Sequence, residues 1–209
     1  FSRSAERVKA FFDNFEVGGV MAMQADALSD SDMERVKLEV MNFCGGVDIL
    51  INNVGGGGRW GTHEPEEADK AVWREVYQKN AGVAVNLTVW AIPYMRAHKW
   101  GRVVTIGSIH GKQGGGRPWF TMAKAAQIAL NKSLAMTPEL ARDGLTFNTV
   151  CPGITYVDGK PKVDASSLPL GRMGRAEEVA AMVAFLCGDE ASLVNGATIA
   201  VDGAESAAF

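Results

Sequence analysis

The chain reads as an α/β protein, a parallel sheet with helices on both faces in three layers. Three observations predict it. Five short runs, residues 21–24, 47–51, 103–106, 145–151 and 197–201, are apolar nearly throughout, as strands buried on both faces are. Between them lie stretches that space apolar residues at three and four, the period of a helix with one buried face. Glycines 55–58 follow shortly after the end of one apolar run, and in open parallel sheets ligands settle at the carboxyl ends of the strands.

Taken in order, residues 4–15 have helical spacing, 21–24 form a strand, and 30–43 form a second helix. Ser29-Asp30-Ser31-Asp32 supplies side-chain oxygens for the free amides where that helix begins. A strand over 47–51 runs into Asn52 and Asn53, and a long helix spans 70–99. The strand 103–106 precedes a helix over 120–142, which Pro138 interrupts after Met136. A proline there removes a helical hydrogen bond but suits a first turn, so a fresh start near Pro138 is expected. The strand 145–151, a helix over 176–187 and the strand 197–201 complete the pattern. No repeat or linker divides the chain, and the glycines at 55–58 and 114–116 are too few for spacers. A single domain over 1–209 follows.

Composition narrows the function classes. With 209 residues, 47% hydrophobic and 22% charged, the chain can bury a core and is neither disordered nor fibrous. A net charge of -3 without a basic run gives no electrostatic footprint for nucleic acid. Cys44, Cys151 and Cys187 sit singly among apolar residues, without metal-ligand spacing, and read as buried thiols in a reducing compartment. No apolar stretch approaches the ~18 residues that span a bilayer, and no signal-peptide pattern opens the chain. A cytoplasmic protein with neither membrane nor metal partner is the expectation.

Several runs, in order, carry a resemblance. They are Asp48-Ile-Leu-Ile-Asn52-Asn53-Val54-Gly55, Trp73-Arg-Glu-Val-Tyr-Gln-Lys-Asn80, Gly101-Arg-Val-Val-Thr-Ile-Gly-Ser108, Phe120-Thr-Met-Ala-Lys124 and Gly144-Leu-Thr-Phe-Asn148-Thr-Val-Cys-Pro152-Gly153. Pro169-Leu-Gly-Arg172, Glu177-Glu178-Val-Ala and Val201-Asp202-Gly203 follow. Together they resemble the short-chain dehydrogenase/reductases over most of the chain. The resemblance implies a Rossmann-like doubly wound sheet that binds a nicotinamide cofactor. It implies that Ser108 orients a substrate oxygen, Lys124 holds the nicotinamide ribose and Asn80 supports the proton relay. Asn53, Val54 and Gly55 would flank the cofactor, Pro152, Gly153 and Ile154 would pass its nicotinamide amide, and Asp26 would bind adenine. Arg3, a cation where an acidic residue would select the ribose hydroxyl, implies NADP rather than NAD.

Two departures stand out. The family has a tyrosine four residues before its lysine, and here that place holds Phe120, which carries no proton. His110 and Tyr156 are the alternative proton donors by position. No glycine-rich phosphate loop precedes residue 3, so the family's first strand, loop and helix are absent, which predicts a longer parent chain. The segment between Gly153 and Pro169 is short for the family's substrate lid, which predicts an open pocket or residues missing near Gly159 and Lys160. The implied activity is hydride transfer between NADP(H) and a small carbonyl or alcohol, in a homodimer or homotetramer. The alternatives are a noncatalytic member that binds cofactor or partners, and an enoyl reductase. For the enoyl reductase Ala123-Lys124 fits, but position 117 is arginine instead of the required tyrosine.

Overall fold

The computed structural model describes residues 6, 9, 19–56, 66, 70–157 and 163–207. The expected helix over 4–15, Arg3, Gly57, Gly58, Gly159 and Lys160 therefore lie outside the described residues, apart from isolated helical positions at Glu6 and Lys9. The chain divides into two compact units, Phe1–Val47 and Asp48–Phe209.

In the first unit the main element is helix α1, Asp30–Cys44. Ser29 Oγ accepts from the Asp32 amide, and Asp32 in turn accepts from the Asp26 amide at 2.7 Å. The acidic, serine-rich start thus satisfies amides that the helix leaves unpaired. Gly45 ends it at φ 75°, a left-handed conformation that glycine adopts without strain. Among the described residues the expected strand 21–24 forms no ladder, and of its residues only Gln24 sits in a β-bridge. An apolar run promises burial, whereas a strand also needs successive paired neighbours. Cys44 is exposed, contrary to the buried thiol expected: it is the last residue of α1, beyond the turns that bury Met33 and Val36.

The second unit is a four-stranded parallel sheet in the order β1-β2-β3-β4. Its strands are β1 (Ile49–Asn52), β2 (Gly101–Ile106), β3 (Leu145–Pro152) and β4 (Thr198–Val201). Leu50 pairs with Val103, Val104 with Asn148, and Val150 with Ile199. Helices α2 (Lys70–Tyr77) and α3 (Val83–His98) join the first two strands. Helices α4 (Ile109–Gln113), α5 (Pro118–Ala135) and α6 (Pro138–Arg142) join the next two, and α7 (Ala176–Cys187) precedes β4.

Side chains alternate across the sheet, and the two faces carry different chemistry. Val104 and Val150 point to one face, where they pack with Val183 and Leu186 of α7. Thr105 and Thr149 point to the other, where Asn52 Nδ2 donates to Thr88 of α3 and Thr105, and Asn131 of α5 donates to Thr149. Helices therefore cover both faces, as the alternation predicted. The edge strand β1 leaves Ile49 and Ile51 exposed at 44% and 47%.

Two helix boundaries differ from the sequence reading. Residues 70–99 are not one α-helix, because Gln78–Gly82 widens into a π-turn in which the Val83 amide reaches back to Gln78 O. Such an insertion is invisible to apolar spacing and commonly marks functional positions. Helix α5 begins earlier than residue 120, with Pro118 in its first turn, and ends at Ala135 with Met136 as its cap, after which Pro138 opens α6 as anticipated. Among the described residues, no helix is long and apolar enough to cross a membrane.

Candidate functional site

The carboxyl ends of β1, β2 and β3 bring Asn53, Ser108, Pro152 and Gly153 to one cavity of about 950 Å³. Phe120 and Thr155 also line it, and Ile49, Ile51, Val179 and Val183 form an aliphatic wall.

Ser108 follows β2 in extended conformation and caps α4. Its Oγ accepts from the His110 amide at 3.2 Å, so the hydroxyl proton remains to be donated. Gly107 lets this turn sit against β3, since a Cβ there would lie 2.8 Å from Thr149 Cγ2 and 2.9 Å from Cys151 Sγ.

Phe120 and Lys124 stand one turn apart on α5 and share a face. The Lys124 ammonium lies 5.7 Å from the Phe120 ring centroid, a cation over an aromatic face. Lys124 is only 5% exposed. Its Nζ donates to Ile106 O at 2.8 Å and to Gln127 Oε1 at 2.9 Å. Burial pulls its pKa from 10.5 down to about 8, against an upward pull from Cys151.

That shift has a stability consequence. The folded pKa lies below the unfolded one, so between pH 8 and 10.5 the unfolded chain holds more protons, and stability rises with pH across that window. The gain approaches ~3 kcal/mol. Cys151, whose thiol burial pushes upward, acts in the opposite sense. Chemical denaturation at pH 8 and 10.5 of the wild type and Lys124→Met isolates the lysine contribution, and the gap between the two proteins is expected to change in the wild type's favour as pH rises.

Asn80 occupies the π-turn and is fully buried. Its Oδ1 accepts from the Gly56 amide at 2.9 Å, while Nδ2 donates to Gly56 O at 3.0 Å and Val76 O at 2.8 Å. The side chain thus clamps the glycine turn after β1. Gly55 lies within that clamp, and a Cβ on it would sit 2.6 Å from Asn80 Oδ1 and 3.2 Å from Lys124 Nζ.

At the end of β3, the Ile154 amide donates to Glu205 Oε2 at 2.6 Å. A Cβ on Gly153 would meet that carboxylate and Asp202, so glycine permits the carboxyl-terminal segment to press against the turn.

The structure thus gathers Gly55, Asn80 and Lys124 into one cluster, and Asn53, Ser108, Phe120, Pro152 and Gly153 around one cavity. Val54 and Ile154 are half-buried beside these positions and do not line the cavity. Asp26 belongs to the first unit, in the turn before α1, where its Oδ1 accepts from the Leu28 amide. His110 turns back on its own helix, with Nδ1 against Gly114 O at 3.1 Å, and does not line the cavity. Tyr156 is exposed and likewise does not line it. Sequence reasoning missed two residues. Gln127 had a signal, a polar residue three after Lys124 on an apolar helix face. Glu205 had none, being 51 positions from Ile154.

Residues 2–204 match the family model described as enoyl-(acyl carrier protein) reductase. The chain is 34% identical over 196 residues to 3-oxoacyl-(acyl-carrier-protein) reductase of Escherichia coli strain K12, covering 88% of this chain and 76% of the relative. It is 36% identical over 216 residues to acetoacetyl-CoA reductase of Rhizobium meliloti, covering 98% and 86%. With Nodulation protein G of Azospirillum brasilense the identity is 32% over 212 residues, covering 91% and 83%.

Proposed function

The chain belongs to the short-chain dehydrogenase/reductase family, and from that premise we propose that it transfers hydride between NADP(H) and a small carbonyl or alcohol. The names of its relatives favour the 3-oxo group of an acyl thioester as that carbonyl. The observation that carries the reading is Ser108: its acceptor side is occupied by the His110 amide, and its proton is left for an oxygen in the cavity that Phe120 also lines.

The residues present fit a nicotinamide cofactor. Gly55 and Gly153 stand where a Cβ would strike Asn80 and Lys124 or Glu205 and Asp202, so both turns are packed tightly beside the cavity at the strand ends, where open parallel sheets bind ligands. Two Nζ protons of Lys124 are bonded inward, and the third is available for a ribose hydroxyl. Asn53, Val54, Pro152 and Ile154 would flank the bound group. When bound, the nicotinamide supplies or accepts the hydride. Ser108 holds the substrate oxygen by a donated hydrogen bond. Phe120 presents an apolar ring where a proton donor would stand, so the proton comes from solvent and turnover lacks the ~10^2 to 10^4 that a side-chain acid contributes.

NADPH consumption over a panel of 3-oxoacyl, simple carbonyl and enoyl thioester substrates tests this. Consumption with a carbonyl that Ser108→Ala suppresses is the expected result, and tighter NADH than NADPH binding would overturn the cofactor choice. Phe120 favours a second reading, a member kept for binding alone, which predicts NADPH binding without consumption across the panel. Consumption confined to the enoyl substrates would transfer the assignment to that reaction.

A cytoplasmic homodimer or homotetramer completes the reading. Val85 and Val89 on α3 and Met122 on α5 are exposed at 40%, 59% and 36%, apolar surface suited to a second copy of the chain.

A further inference from the structure

We propose that Gln127 is a positioning residue that fixes the Lys124 ammonium and the Asn80 carbonyl together, leaving the third Nζ proton turned toward Gly55. The inference rests on the reading that Lys124 holds the cofactor.

Gln127 is fully buried. Its Nε2 donates to Asn80 O at 3.0 Å and its Oε1 accepts from Lys124 Nζ at 2.9 Å. These partners determine the amide's orientation, since the reverse would set an NH2 group against an ammonium and an oxygen against a carbonyl. Both ends answer a need. The π-turn shifts the backbone ladder around Asn80, and its carbonyl takes a side-chain donor. The ammonium, nearly out of water, needs acceptors for its protons. Ile106 O takes one and Gln127 Oε1 another. The remaining proton then faces the glycine turn, where Lys124 Nζ lies 3.2 Å from the position a Gly55 Cβ would take. One amide therefore links three elements: the π-turn, α5 and, through Lys124, the end of β2.

An ordinary polar core residue would do no more than satisfy its own amide. A positioning residue also sets the charge of its neighbour. Cys151 of β3 is the one titratable group found to act on Lys124 among the described residues, and it is itself influenced by Lys112 and Asp202. Gln127 on α5 and Asn80 in the π-turn are neutral. Changing Gln127 therefore changes one of the two acceptors bonded to the ammonium without disturbing another charge.

The test uses Gln127→Glu and Gln127→Met in the full-length protein. The Lys124 titration is followed by NMR of isotopically labelled lysine, assigned by its loss in Lys124→Met, and the NADPH dissociation constant is measured across pH. A carboxylate beside the ammonium favours the charged form, so Gln127→Glu should raise the titration midpoint by about one unit or more. Removing the acceptor in Gln127→Met should lower the midpoint and weaken NADPH binding ~10-fold, the factor that one lost hydrogen bond to a charge supplies. A Lys124 midpoint unchanged in either folded variant overturns the proposal, and Gln127→Glu alone decides if Gln127→Met does not fold. If both midpoints move as stated but Lys124→Met binds NADPH as tightly as wild type, the positioning stands and the cofactor role of Lys124 fails.

Discussion

Phe120→Tyr is expected to raise kcat/KM for NADPH-driven carbonyl reduction by ~10^2 to 10^4, the usual contribution of a positioned general acid. The substitution adds one oxygen to a ring already on the cavity wall that Ser108 shares. It requires no new backbone, because the ring sits on α5, whose start Pro118 sets. The Lys124 ammonium, 5.7 Å from the ring centroid, would favour the phenolate and lower the phenol pKa toward neutrality. Initial rates against pH provide a second readout, since the variant should acquire a titration limb absent from the wild type. A variant that binds NADPH normally yet gains no rate would show that the ring is not aimed at the reacting oxygen.

Gly55→Ala is expected to lower the thermal midpoint and to weaken NADPH binding at least ~10-fold. Overpacking of a tight site costs about 1 to 3 kcal/mol. The new methyl would lie 2.6 Å from Asn80 Oδ1, and that oxygen cannot swing away. It belongs to an amide held by Gly56 and Val76 through three hydrogen bonds, so relief must come from moving the turn itself. Lys124 Nζ, 3.2 Å from the same methyl position, would be displaced with it. Gly174→Ala is the control, because its Cβ would find only ordinary contacts at 3.5 Å and beyond. Melting curves and cofactor titration of both variants make the comparison, and equal behaviour would show that the clamp yields.

Much of the arrangement was legible in order along the chain because it depends on near neighbours. The runs at 103–106 and 145–151 read as strands buried on both faces, and β2 and β3 lie at the centre of the four-stranded sheet. Ser29 and Pro138 announced helix starts through the backbone groups they can or cannot satisfy. The four-residue spacing of Phe120 and Lys124 by itself places both on one helical face.

Other features depend on partners distant in sequence. Nothing in the spacing of residues 70–99 shows that the helix widens at Asn80, because a π-turn preserves the apolar stripe to either side. The bond from Gln127 to Asn80 O joins residues 47 positions apart, and Glu205 reaches Ile154 over 51. His110 is adjacent to the site in sequence, yet its Nδ1 lies against Gly114 O and its ring does not line the cavity. The sequence by itself determined the order of strands and helices and the residue types offered at the strand ends, since periodicity and capping are local. Only the tertiary structure decided which of them meet and how burial lowers the Lys124 pKa, because desolvation and side-chain hydrogen bonding are properties of the packed surroundings, not of any segment alone.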